Sequence, residues 1–196
     1  MQSPYHGLSE KKWNSKTVEL IAQHPLKTQD IVAVVLDSWR AIFDSKIGTH
    51  GFRIGVDIFP KPQIMGFFLH ELIPLEFAAR SPGQWRGDEA AGEKDLVCVS
   101  DSRYSVEIKT SSHRSQVFGN RSYAQAPTDS KKSKSGYYIA VNFDKFTNAN
   151  AMPQIRLIRF GWLDHTDWIG QASDTGQQAR INAVSERAKL LTLFPS

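Results

Sequence analysis

The chain of 196 residues contains one cysteine, Cys98. That excludes an internal disulfide and any zinc site built on a cysteine cluster. Cys98 lies inside an apolar run and reads as a small core residue. No apolar run approaches the ~20 residues that cross a bilayer, so no membrane span is expected. The opening residues Met1-Gln2-Ser3-Pro4-Tyr5-His6 lack a basic segment followed by an apolar one. A secretory leader is therefore not expected, and a cytoplasmic location is. A glycine-rich phosphate loop is missing too, so no nucleotide cofactor is expected. The histidines His6, His24, His50, His70, His113 and His165 show none of the paired spacing of a zinc site. Of these, only His113 falls near the residues singled out below.

Hydrophobic residues make up 40% and charged residues 22%, as in an ordinary globular protein, and the length suggests one domain. A net charge of +4 is a mild bias toward a polyanionic partner. Its distribution is more telling. Between Glu107 and Lys134 the bases Lys109, Arg114, Arg121, Lys131, Lys132 and Lys134 face a single acid, Asp129.

Helical spacing predicts a helix over 9–22. A second is expected from a cap at Thr28 or Asp30, with Ile31, Val34, Val35, Trp39, Ile42 and Phe43 on one face. A third covers Gln63 to Arg80, where Pro74 is expected to kink or split it. The pattern then changes to strands at Asp95–Val99, Tyr104–Thr110, Gly136–Phe143 and Gln154–Trp162. A final amphipathic helix is predicted over 175–193, with Ile181, Val184, Ala188 and Leu191 on one stripe. Residues 1–85 thus form a mainly helical N-terminal part, 86–165 a strand-rich core and 166–196 a helical end. The order fits an α/β (α+β) layered domain. Trp39, Phe67, Phe68, Tyr138 and Phe143 are expected in the core.

Asp95 opens one strand, and Glu107-Ile108-Lys109 lies in the next. Strand side chains alternate, so Glu107 and Lys109 share one face while Val106 and Ile108 take the other. A turn centred between Asp101 and Ser102 sets Asp95 opposite Ile108, on the wrong face. An odd-numbered connection, a bulge, or a position just ahead of the ladder brings Asp95 to Glu107. Asp88, Glu89 and Glu93 are stand-ins for Asp95. Two carboxylates and the Ile108 carbonyl then offer the hard oxygen ligands that suit Mg²⁺. Lys109 would orient or deprotonate a water, or neutralise charge at phosphorus.

Asp95 with Glu107-Ile108-Lys109 resembles the PD-(D/E)xK nuclease motif, with Lys94 where a proline is commonly written. Gly92 to Val97, Tyr104 to Ser112 and Phe118-Gly119-Asn120-Arg121-Ser122-Tyr123 resemble type II restriction endonucleases of the ScaI-like group. The resemblance implies a mixed central sheet with helices on both sides, Mg²⁺ dependence, a prokaryotic host, a homodimer on double-stranded DNA, and cleavage that leaves a 5′-phosphate. It implies Asp95 and Glu107 as metal ligands and Lys109 as the catalytic lysine. A supporting helix carboxylate is expected at Glu71, with Glu76 behind it. The loop after the motif carries side chains that suit base edges and phosphates: Ser111, Ser112, His113, Arg114, Gln116, Asn120, Arg121, Ser122, Tyr123, Gln125, Lys131 and Lys132. Cleavage by a repair or junction-resolving enzyme, or binding without cleavage, are the competing expectations.

Overall fold

The computed structural model describes residues 2–125, 133–173 and 175–195. Helix α1 spans Glu10–Ala22 and α2 Thr28–Asp44. Short strands β1 (Lys46–Ile47) and β2 (Phe52–Arg53) form a hairpin. Helix α3 follows at Pro62–Arg80. Strands β3 (Trp85–Gly87), β4 (Leu96–Cys98), β5 (Val106–Ser111) and β6 (Phe118–Asn120) come next. The long strands β7 (Gly136–Phe143) and β8 (Ile155–Leu163) precede β9 (Trp168–Gly170) and β10 (Gln178–Ile181). Helix α4 (Ala183–Lys189) and β11 (Leu190–Phe194) end the described chain.

Six strands form a mixed sheet in the order β11-β8-β7-β5-β4-β3, in which β5 and β7 run parallel and the other neighbours antiparallel. Strand β7 is buried along its whole length, as its near-continuous apolar run requires. Its side chains divide the interior. Tyr137, Ile139 and Val141 join Ile31, Val34, Val35, Leu69 and Ile73 of α2 and α3 in the larger core. Tyr138 and Ala140 point the other way, into a smaller core with Val117, Tyr123, Trp168, Ala179 and Ile181. That second face is covered by a small sheet, β6-β10-β9. The mixed central sheet flanked by helices is thus as expected, with α1–α3 on the first face and the small β-layer an addition on the second.

Helix α2 starts at Thr28 with Lys27 at its N-cap, and Asp30 in its first turn complements the positive end of the helix dipole. Helix α3 continues through Pro74, so of the two expectations, a kink or a split, the split does not occur. Gly66 lets α3 cross β5 closely, because a Cβ there would lie 2.6 Å from Thr110 Oγ1. Cys98 is buried as expected. Trp39, Tyr138 and Phe143 are core residues and Phe68 is partly buried, but Phe67 is 58% exposed. The helix predicted over 175–193 is a strand, a two-turn helix and another strand. In β10, buried Ala179 and Ile181 alternate with exposed Gln178 and Arg180, a period of two. Asn182 then accepts the Val184 N–H at 2.8 Å and starts α4. An N-cap inside the apparent stripe is the feature that breaks the helical reading. Among the described residues, no helix is long and apolar enough to cross a membrane.

His24, just after α1, joins the helical layer to the sheet. Its Nε2 lies 3.0 Å from the Tyr104 carbonyl, while Nδ1 accepts the Leu26 N–H at 3.1 Å. Those partners select the neutral ring protonated at Nε2. Trp85, Tyr104, Tyr137 and Phe160 surround it. Burial pushes its pKa down to about 4. The unfolded chain therefore takes up a proton near pH 6.5 that the folded protein refuses until about pH 4. Stability contributed by neutral His24 is full above pH 6.5 and falls across that window by roughly 3 kcal/mol. Urea midpoints measured from pH 7.5 to 4.5 are expected to fall with acid, and His24→Gln to flatten the fall. Parallel slopes for the two proteins would remove His24 from the account.

Candidate active site

Strands β4 and β5 meet through one pair, Leu96 with Val106. The intervening connection, with a 3₁₀ turn at Ser102–Tyr104, has an odd number of residues. Stepping one residue back along β4 and one forward along β5 sets Asp95 across from Glu107, on the same face. This is one of the arrangements that the motif needed. Asp95 also precedes the ladder, and its Oδ2 accepts the Ile108 N–H at 2.7 Å. Asp95 is thereby anchored to the strand that carries Glu107 and Lys109.

Glu107 and Lys109 project toward the smaller core, beside Tyr138 and Ala140 of the parallel neighbour β7. Glu107 is 2% exposed. A carboxylate so buried is tolerable only if held by donors and cations. Lys109 Nζ donates to Glu107 Oε1 at 2.8 Å and to its neighbour's carbonyl, Ile108 O, at 3.1 Å. Lys94 Nζ lies 3.8 Å from Glu107 Oε2 and donates to Ser133 O at 2.7 Å. Tyr123 supplies a short hydroxyl hydrogen bond to Oε1. Burial, and after it the charge of Glu107, raises the pKa of both Tyr123 and Tyr138 well above that of an exposed phenol. Both phenols therefore remain protonated at neutral pH. Lysines also cap these rings: Lys94 sits 5.0 Å from the Tyr138 centroid, and Lys109 and Lys134 sit 4.9 and 4.2 Å from that of Tyr123.

Beside this group opens a cleft of about 880 Å³ lined by α3, the Asp95 bend and the end of β5, including Gln63, His70, Glu71, Asp88, Asp95 and Thr110. Glu71 faces it from α3. Glu76, on another side of the helix, pairs with Arg80 at 3.4 Å. His70 approaches Asp95 Oδ2 with Nδ1 at 3.7 Å, so His113 is not the sole histidine near the site. Glu93 does not stand in for Asp95. It takes a two-pronged hydrogen bond from Arg86 at 2.9 and 2.5 Å, and another from the Glu89 N–H. The Arg86 bond holds its carboxyl pKa down at about 2.

The residues expected at DNA divide into three groups. Ser111, Ser112 and His113 line the cleft, and Arg114, Asn120 and Gln125 are exposed nearby. Gln116 and Ser122 are partly covered, and Arg121 donates to the carbonyls of Ser173 and Gly176 at 3.1 and 3.4 Å. Tyr123 lies inside, 5% exposed and bonded to Glu107, so a base-edge role does not fit it. Lys131 and Lys132 lie outside the described residues.

Among the described residues no three or more His, Cys, Asp or Glu side chains form a metal cluster. The donors present are two carboxylates and a carbonyl. That set fits a hard cation of the Mg²⁺ kind, which keeps several waters and completes its shell with substrate phosphate. It does not fit zinc, which takes four protein ligands in structural sites and three in catalytic ones. The sequence reading missed His70, the closeness of Lys94 to Glu107 and the Tyr123 hydroxyl. Only Tyr123 had a sequence signal, its place in the Phe-Gly-Asn-Arg-Ser-Tyr segment.

Comparison with known proteins agrees with the motif. Residues 3–194 match the family described as ScaI restriction endonuclease. The chain is 50% identical over 193 residues to the type II restriction enzyme ScaI of Streptomyces caespitosus, covering 97% of this chain and 84% of that protein.

Proposed function

The chain belongs to the ScaI restriction endonuclease family, and on that premise we propose that it is a type II site-specific deoxyribonuclease whose reaction centre is Asp95, Glu107 and Lys109. The reaction is hydrolysis of one phosphodiester in each strand of a specific double-stranded DNA sequence, leaving 5′-phosphates. The observation that supports this reading is the pairing of Leu96 with Val106, whose register sets Asp95, a residue of the cleft wall, across the ladder from Glu107.

Asp95, Glu107 and the Ile108 carbonyl would hold Mg²⁺, and Glu71 would support it through water from the cleft wall. Bound there, the ion supplies Lewis-acid stabilisation of charge at the scissile phosphate. Lys109, as an ammonium paired with Glu107, orients the attacking water and neutralises charge growing at phosphorus. Ser111, Ser112, His113 and Arg114 stand where the strand leaving the site would pass, and Asn120 and Gln125 suit adenine edges. Each copy has one such centre, so cutting both strands calls for a two-fold pair of copies, a homodimer. Incoming DNA is met in the prokaryotic cytoplasm, which is where the enzyme would act.

The test is a digest of plasmids of known sequence in Mg²⁺, followed by sequencing of the fragment ends. Discrete fragments that share one end sequence and carry 5′-phosphates are expected. Cutting only at branched or damaged structures would replace this reading with a repair or junction-resolving one. Binding with no cleavage would reduce the protein to a DNA-binding module.

A further inference from the structure

Resting on the assignment of Glu107 as a metal ligand, we propose that Tyr123 is a positioning residue for the reaction: its hydroxyl fixes the orientation of the Glu107 carboxylate. Oε1 receives both the Tyr123 hydroxyl and, at 2.8 Å, the Lys109 ammonium. Lys94 approaches the other oxygen, Oε2, at 3.8 Å, so the carboxylate is held from both ends. A carboxylate left to rotate would offer either oxygen and would lose ordering entropy on every binding event. Hydrogen bonds that orient metal ligands typically contribute tenfold to a hundredfold in metal affinity or activity.

Tyr123 is fixed from several sides. Its ring packs at 4.9 Å on Trp168 of β9. Gly119 of β6 lies beneath it, where a Cβ would come 2.9 Å from the ring. The 3₁₀ turn that carries it, Arg121–Ala124, is pinned by the Arg121 N–H to Gln177 O at 2.7 Å. The Arg121 guanidinium adds its bonds to Ser173 and Gly176. Exposed Asn120 begins the same turn, three residues ahead. The segment that presents Asn120 to solvent therefore also holds the Glu107 carboxylate. A shift of this segment on DNA moves the hydroxyl that orients the metal ligand.

Two variants test the inference, each measured by Mn²⁺ titration with the free ion counted by its electron paramagnetic resonance signal, by metal-dependent cleavage and by thermal melting. Tyr123→Phe removes only the hydroxyl. Gly119→Ala leaves the hydroxyl in place and pushes the ring. Both are expected to raise the Mn²⁺ dissociation constant about tenfold and to move the Mg²⁺ midpoint for cleavage upward, with high Mg²⁺ restoring part of the rate. Unchanged Mn²⁺ affinity in folded Tyr123→Phe, whatever its melting temperature, overturns the proposal. Glu107→Ala is the reference: if it still binds Mn²⁺ and cuts as wild type does, the metal-ligand assignment falls, and this inference with it.

Discussion

Lys109→Ala is expected to lower single-turnover cleavage by about 10³-fold or more, roughly 4 kcal/mol in the barrier, while duplex affinity changes by less than about threefold. The asymmetry follows from where the ammonium sits. It is bonded to Glu107 Oε1 and Ile108 O at the wall of the site, largely covered. In the proposed reaction it would act on charge that develops only as the phosphodiester breaks, and such interactions raise the rate without tightening the ground state. Most duplex affinity comes from contacts spread along the phosphates, of which one lysine is a small part. Lys109→Arg retains charge, but a planar fork must fit beside the Tyr123 ring where a compact ammonium now lies 4.9 Å from its centroid. Its rate should stay close to that of the alanine variant. Because Glu107 is buried, removing one of its cations also destabilises the fold, so rates belong well below each variant's melting temperature. Wild-type cutting by folded Lys109→Ala would remove Lys109 from the reaction.

What could be read from the chain follows the physics of each signal. The β4–β5 hairpin was legible because alternation fixes the shared face of Glu107 and Lys109 whatever lies around it. The face of Asp95 was not, since it depends on the parity of a connection: Asp101 caps the 3₁₀ turn at Ser102–Tyr104, but a cap does not fix the number of residues between the strands. Helices α1 to α3 were legible from their spacing. The C-terminal segment was misread because Ile181, Val184, Ala188 and Leu191 match a helical stripe by coincidence. Long-range pairing of β10 with β6 and β9, and of β11 with β8, overrides that local preference. Phe67 was misplaced for a related reason. Apolar character says that a side chain prefers burial, but only the packed fold says which face of α3 meets the sheet. Tyr123 was singled out in sequence, but not its bond to Glu107, which spans residues that no spacing rule connects.

The loop from Ser111 to Gln116 has an organisation of its own, and it leads to the second large effect. It looked in sequence like part of a long polar excursion. The fold instead ties it down to two buried residues of the central sheet. Asn142 of β7 donates its amide to the carbonyls of His113 and Gln116, both at 2.9 Å. Arg159 of β8, 5% exposed, donates to Ser115 O at 2.5 Å, to Asn142 Oδ1 at 2.9 Å and to Glu186 of α4 at 2.6 Å. Arg159→Ala is expected to cost about 3–5 kcal/mol, since it strands the Glu186 carboxylate and the loop carbonyls and opens a cavity. For a chain of this size that corresponds to a fall of about 10 °C in melting temperature. Glu186→Gln in the Arg159→Met background should lose less than Arg159→Ala, because no carboxylate is left without its cation and methionine fills most of the space. Below its melting temperature, Arg159→Ala should also bind duplex more weakly and with less sequence discrimination, because the backbone that presents Ser112, His113 and Arg114 loses its anchor. Melting curves and competition binding with specific and random duplexes measure the two effects. A loss of stability below about 1 kcal/mol, or full discrimination in the folded variant, would show that the loop holds its shape without Arg159.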